Sequence, residues 1–196
     1  SAPKCCYNHI YQHELIYNPY VFTLLMKRSL ILFLFIGIAY SQSMQISDSE
    51  IRYHGIHPLH EWTGISTSAS GRVSYDQSAN SGSITVSVPL NSFDSKVYAR
   101  DSNMLTHTEA IDFPLVTFKS DNASIKQDSL YVNGKLTFHG ITKDISVVAS
   151  ITQQNGFQVN GGFCINLSDY NVQRPSLLFI KINDEICIDY EFTITQ

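Results

Sequence analysis

The stretch "YVNGKLTFHGITKDISVVASI", residues 131–151, decides the fold. Together with Leu130, the residues Val132, Gly134, Leu136 and Phe138 fall on one face of an extended chain. Asn133, Lys135 and Thr137 fall on the other. After the turn signal "FHGITKD", Ile145, Val147, Ala149 and Ile151 repeat the pattern. A period of two over this length predicts strands with one apolar and one polar face.

The same alternation runs outward in both directions. "GSITVSVPL" puts Ile84, Val86, Val88 and Leu90 on one face, and "PLVTFKS" aligns Val116 and Phe118. "GFQVNGGFCIN" aligns Phe157, Val159, Gly161, Phe163 and Ile165. "EICIDYEFTI" aligns Ile186, Ile188, Tyr190, Phe192 and Ile194. Two earlier strands, "EIRYHGIH" and the long "WTGISTSASGRVSYD", are less regular. Residues 95–110 break the period, and Val97, Arg100, Met104 and Leu105 predict a short irregular helix between strands. "SDYNVQRPS" before the last strand is also non-strand.

About eight antiparallel strands with one apolar face must hide that face and deal with two edges, and closing into a barrel does both. The fold class is therefore all-β, an eight-stranded antiparallel barrel with a short helical insertion. A sandwich is the alternative. At this size a barrel is either filled by its own side chains or holds one small ligand. Gly134, Ala149, Gly161 and Gly162 lie at inward or neighbouring positions, where small residues leave room or let strands bend.

Upstream, "MKRSLILFLFIGIAYSQS" (residues 26–43) joins Lys27 and Arg28 to ten uncharged residues, Leu30 to Ala39. That is the length of a signal-peptide core, while a spanning helix needs roughly 20 apolar residues. Ala39-Tyr40-Ser41 gives a small-x-small cleavage pattern, so residues 26–41 read as a signal peptide and the mature chain as 42–196. Residues 1–25 contain no methionine and no sustained period, and read as an upstream translated extension; a long n-region or a soluble extension is the alternative. The expected location is periplasmic or secreted, with no membrane span after signal removal.

Residues 42–196 carry 10 basic and 16 acidic side chains, a balance near −6 with His neutral. That excludes the basic footprint of nucleic-acid binding and argues against electrostatic docking on anionic lipid.

Four stretches, "ARDSNMLTHTEAIDFPLVTFKS", "YVNGKLTFHGITKDISV", "GGFCINLSDYNV" and "NDEICIDYEFTI", resemble the YceI-like family of lipocalin-like proteins. The counterparts of its motifs are Arg100, Asp101 and Met104; Phe113, Pro114 and Phe118; and Gly134, Leu136, Thr137, His139, Gly140, Thr142 and Lys143. The likeness covers roughly residues 46–196. It implies a barrel whose apolar interior holds a polyisoprenoid or another long amphipathic chain, in a carrier or storage role and without catalysis. It also leaves room for a homodimer. The chain departs from the pattern at Asn103 (often His), Leu167 (often Arg) and Asn171 (usually Gly), which weakens a pyrophosphate-specific reading.

Val86, Val88, Phe118, Leu136, Phe138, Phe163, Ile188 and Phe192 are the expected ligand-binding wall. The alternative function is a non-enzymatic interaction module with a filled core, using its surface or the His-rich loop. "HGIHPLHEW" spaces His54, His57 and His60 by three, but Gly55 and Pro58 disfavour a helix and a strand would split them between faces. They read as polar residues at a strand end, with Trp62 over one end of the barrel. His139 reads as solvent-side or turn-stabilising. No nucleophile elbow, phosphate loop or His-Glu-x-x-His occurs, so no cofactor, metal or catalytic residue is expected. Cys164 and Cys187 sit on strands that the family topology makes neighbours. The sequence leaves their register open, and two separate thiols are the expectation.

Overall fold

The computed structural model describes residues 42–196; the signal peptide and upstream extension assigned to residues 1–41 lie outside them. The elements, in order, are β1 (Gln42–His57), β2 (His60–Ser66), β3 (Ser70–Asp76), β4 (Ser81–Pro89) and helix α1 (Tyr98–His107). They continue with β5 (Leu115–Lys126), β6 (Ser129–Phe138), β7 (Ile141–Gln153), β8 (Phe157–Asn166), β9 (Ser176–Leu177), β10 (Ile180–Lys181) and β11 (Glu185–Thr195).

The eight-stranded antiparallel barrel forms as expected. Its ring runs β1, β3, β4, β5, β6, β7, β8, β11 and back to β1. The closing ladder pairs Gln45 with Thr195 and continues to His54 with Cys187, with one bulge beside Ser47. The ring and both its cores lie within residues 42–196.

The long run "WTGISTSASGRVSYD" is not one strand. It breaks into β2 and β3, which lie end to end along β1. β2 pairs with residues 51–57 and β3 with residues 42–45. A fully buried Ser66 holds the break. Its hydroxyl accepts from the Ser68 N–H (3.2 Å) and meets Ser92 Oγ at 2.6 Å. Ser92 in turn donates to the Pro89 carbonyl. β1 also begins eight residues earlier than the sequence pattern suggested, because the bulge beside Ser47 shifts the inward set from Met44 and Ile46 to Ser49 and Ile51 and so breaks the period of two.

The two ends of the barrel differ. At the end of the turns near residues 77–80, 127–128 and 154–156, Met44, Ala123, Leu130, Ile151, Val159 and Ile194 are all buried and fill the interior. At the other end, α1 and residues 167–172 lie over the strands. Leu90, Leu136, Phe138, Leu167, Tyr170, Val172 and Ile186 form a second core there.

Residues 167–172 are tied down by a left-handed turn. Asn171 has φ 55°, in the region where Asn is better tolerated than most side chains. This accounts for a Gly-to-Asn change being compatible with the fold. The Gly140 position of the β6–β7 turn also has positive φ, 72°. Preceding it, His139 (φ 49°) places its ring under the turn rather than in solvent. The side chain is only 10% exposed, Nδ1 donates to the Tyr170 carbonyl at 2.8 Å, and the ring meets Phe113 edge-on at 5.0 Å. Nε2 lies 3.4 Å from a Glu109 carboxylate oxygen without a hydrogen bond. The turn-stabilising role is correct and the solvent-side one is not. His139 joins three segments that cap this end.

Cys164 and Cys187 are disulfide-bonded, which corrects the expectation of separate thiols. They are direct partners in the β8–β11 ladder, with Cα atoms 4.0 Å apart and side chains on the outer face. Period-two reading placed both outward; it could not supply the register that sets them opposite each other.

Replacing both cysteines by Ser should lower the unfolding free energy by about 2–4 kcal/mol. Urea unfolding with and without reductant checks this: the wild type alone should lose stability on reduction. His139→Ala should cost about 1–3 kcal/mol, since it removes a buried donor from the Tyr170 carbonyl. His139→Phe, which keeps the ring but not the bond, should recover only part of the loss.

Candidate ligand-binding lumen

Between the filled end and the cap lies a cavity of about 590 Å³. That is within the range of small-molecule sites, roughly 300–1,000 Å³. All eight residues singled out for the wall, Val86, Val88, Phe118, Leu136, Phe138, Phe163, Ile188 and Phe192, lie on it. Alternation brings them together: each is at an inward position of its strand, and ring closure sets the strands around one axis. A filled core therefore does not describe this interior.

The glycines act differently from the expectation. A Cβ on Gly134 would lie 2.5 Å from the tip of the Phe118 ring, and one on Gly161 would lie 2.5 Å from the Tyr190 hydroxyl. The space they leave is occupied by these two aromatic rings, not by the cavity. Each glycine lets a large ring lie flat across the strand and become part of the wall.

The lumen reaches solvent at the capped end, because exposed residues line it there: His60, Val97, Asn103 and Leu177. Polar groups collect at this mouth. The Arg100 guanidinium stacks over Trp62, 5.4 Å from the ring centroid, and Nη1 donates to the Ser95 carbonyl at 3.3 Å. No carboxylate pairs with Arg100 among the described residues. His57 is 2% exposed. It accepts from the Leu59 N–H at Nδ1 (3.2 Å), so Nε2 carries the proton and donates to the Ile180 carbonyl at 3.1 Å. His60 packs at 5.4 Å from Trp62. Asn103, where many relatives of the resemblance carry His, faces the same mouth.

Of the three "HGIHPLHEW" histidines, His57 and His60 come together across the β1–β2 turn, with ring centroids 5.6 Å apart, and His54 stands apart. His57 points inward. His54 points outward, donating from Nε2 to Asp189 at 2.8 Å, with Nδ1 in hydrogen-bond contact with the Thr63 hydroxyl at 3.1 Å. Trp62 does sit at the barrel end.

Tyr53 was missed by sequence reading. It lies on the lumen wall with a buried hydroxyl that has no hydrogen-bond partner among the described residues; the Trp62 indole N–H approaches but falls short of a bond. The signal was present, since Tyr53 shares inward parity with Ile51, but the irregular run around it hid the period.

Burial pushes the phenol pKa of Tyr53 above its ordinary 10.0, and does the same to Tyr190. The folded state holds these protons more tightly than the unfolded chain does. Stability is therefore retained below pH 10 and falls as pH rises beyond it, where unfolding releases protons. Ultraviolet titration should show a class of tyrosines ionising later than free tyrosine, and Tyr53→Phe should reduce the alkaline loss of stability.

The YceI-like domain profile matches residues 43–194. A UPF0312 protein of Yersinia pestis is 28% identical over 108 residues, covering 50% of this chain and 55% of that protein. Protein YceI of Salmonella newport is 26% identical over 129 residues, 59% of this chain and 66% of that protein. The chain thus spans just over half the length of the Yersinia relative it matches. Among solved structures, BcnA of Burkholderia cenocepacia has a TM-score of 0.68 at 20% identity, covering 76% of this chain and 96% of that one. A polyisoprenoid-binding domain from Saccharophagus degradans, implicated in plant cell wall breakdown, has a TM-score of 0.64 at 14% identity, covering 78% and 97%. These two likenesses establish the fold. The profile match over residues 43–194 and the closed eight-stranded barrel together place the chain in the YceI-like family.

Proposed function

We propose that this protein is a non-enzymatic lipid carrier that holds a polyisoprenoid or fatty-acyl chain inside the barrel. The observation that carries the reading is the cavity of about 590 Å³ walled by apolar and aromatic side chains. Burying a chain there would contribute about 0.8 kcal/mol per methylene. The name of the Saccharophagus domain, a structural neighbour, adds support for a polyisoprenoid.

The mouth suits one polar end group. Arg100, Asn103, His60 and the Tyr53 hydroxyl converge there without forming a nucleophile–base pair. Arg100 offers charge, but Asn103 and Leu167 remove two cationic positions common in the family. A headgroup with a single charge or a neutral polar tip fits better than a pyrophosphate. Export to a periplasmic or extracellular compartment is part of the proposal. The apolar run at 30–39 and the Cys164–Cys187 disulfide, which persists in oxidising surroundings, support it.

Residues 42–196, produced with export and extracted into organic solvent, should yield a stoichiometric isoprenoid or acyl species by mass spectrometry. Leu136→Trp or Phe163→Trp should fill the lumen and abolish that species while leaving the barrel's far-ultraviolet spectrum unchanged. An empty extract after exposure to total lipids of the source would return the protein to the class of interaction modules. Unchanged loading in both Trp variants would mean that the chain lies elsewhere.

A further inference from the structure

β9 and β10 form a minimal hairpin: Ile180 pairs with Leu177 and Lys181 with Ser176, leaving Leu178 and Phe179 as a two-residue turn. Both turn residues have left-handed φ, 51° and 65°. This geometry favours Asn-Gly, because a bulky side chain crowds its own backbone there. Here the turn is Leu-Phe. Burial does not explain the choice, since Leu178 is 71% exposed and Phe179 102%. Two large apolar side chains are thus held in water, in a conformation unfavourable to them.

The hairpin is anchored at the lumen mouth. His57 Nε2 donates to the Ile180 carbonyl at 3.1 Å, the Asn183 N–H donates to the Ile56 carbonyl at 2.8 Å, and the Ile182 N–H donates to the Pro175 carbonyl at 3.1 Å. Pro175, Ser176 and Leu177 line the lumen, so the tip continues its wall into solvent. Leu59, 61% exposed, stands two residues from His57 at the same end.

We propose that this tip is a membrane-insertion finger. Leu178 and Phe179 enter the boundary between headgroups and acyl chains of a phospholipid bilayer, with Leu59 beside them, and set the lumen mouth against the lipid. The inference deepens the carrier reading and rests on it. Residues 42–196 carry 16 acidic against 10 basic side chains, so attraction to anionic lipid cannot hold the protein at a membrane. Apolar insertion can, and the exposed Lys181 next to the tip can keep its ammonium at the headgroup level. A second copy of the chain is a poorer occupant: a two-residue tip buries far less than the roughly 1,200 Å² of a stable protein interface.

The test compares residues 42–196 with the Leu178→Asn/Phe179→Gly variant, which supplies the turn pair that the backbone favours and so keeps the hairpin. Both are sedimented with phosphatidylcholine vesicles, and both are loaded with palmitate delivered from detergent. Wild-type partitioning should persist at about 1 M salt, and the variant's should fall by about tenfold or more. Palmitate loading should be equal in the two proteins. Three results overturn the proposal: no wild-type partitioning, equal partitioning of the variant, or partitioning abolished by salt. A wild-type dimer that the variant converts to monomer, with vesicle binding unchanged, also overturns it and assigns the tip to self-association. If neither protein takes up palmitate or a farnesol control while tip-dependent partitioning holds, the carrier reading fails, and of the proposal only the bilayer contact of the tip stands, not its setting of a lipid-loading mouth.

Discussion

The ladder between β1 and β11 is the constraint on which everything else rests. Without it the remaining strands would form a curled sheet with one wholly apolar face and two unpaired edges, a surface prone to aggregation. With it, the inward residues of eight strands face one another and the lumen exists. The seam is reinforced from outside. The His54–Asp189 bond crosses it, and the Cys164–Cys187 disulfide fastens β11 to its other neighbour. The last strand is thus held on both sides, by main-chain bonds and by side chains.

Closure alone would give either a solid core or a hollow tube. The partial filling comes from residue size. Small and aliphatic residues pack the end near Met44 and Ile151, while the aromatic rings of Phe118 and Tyr190 lie flat over glycines and line rather than plug the middle. At the opposite end the cap is held by turns. His139 bonds Tyr170, Asn171 takes a left-handed φ, and the helix residues Arg100 and Met104 lie across the opening. The "GKLTFHG" signature therefore has a structural meaning. Its inward Leu136 and Phe138 serve the wall, and its His and Gly fasten the cap.

Much of this was legible in alternation. Period two is enforced by the strand itself, so the inward set from Ile84 to Ile194 could be read without knowing which strands pair. What alternation does not encode is register. It placed both cysteines outward yet could not set them opposite each other. It also fails where a bulge breaks the period, which is why the first half of β1 and Tyr53 went unread. The β9–β10 hairpin escaped for a different reason: "SLLFIK" contains no Gly, Asn or Asp to announce a turn. The glycines misled in a subtler way, because an absent side chain makes room without saying who takes it.

The closed far end has a consequence for traffic. A tube open at both ends lets a guest thread through and leave ahead of its own tail. A blind tube enforces reversal: the part that enters first must leave last, and the outermost group never loses contact with the doorway. On the carrier reading proposed above, a guest would be exchanged through one face only, at the mouth lined by His60, Val97, Asn103 and Leu177.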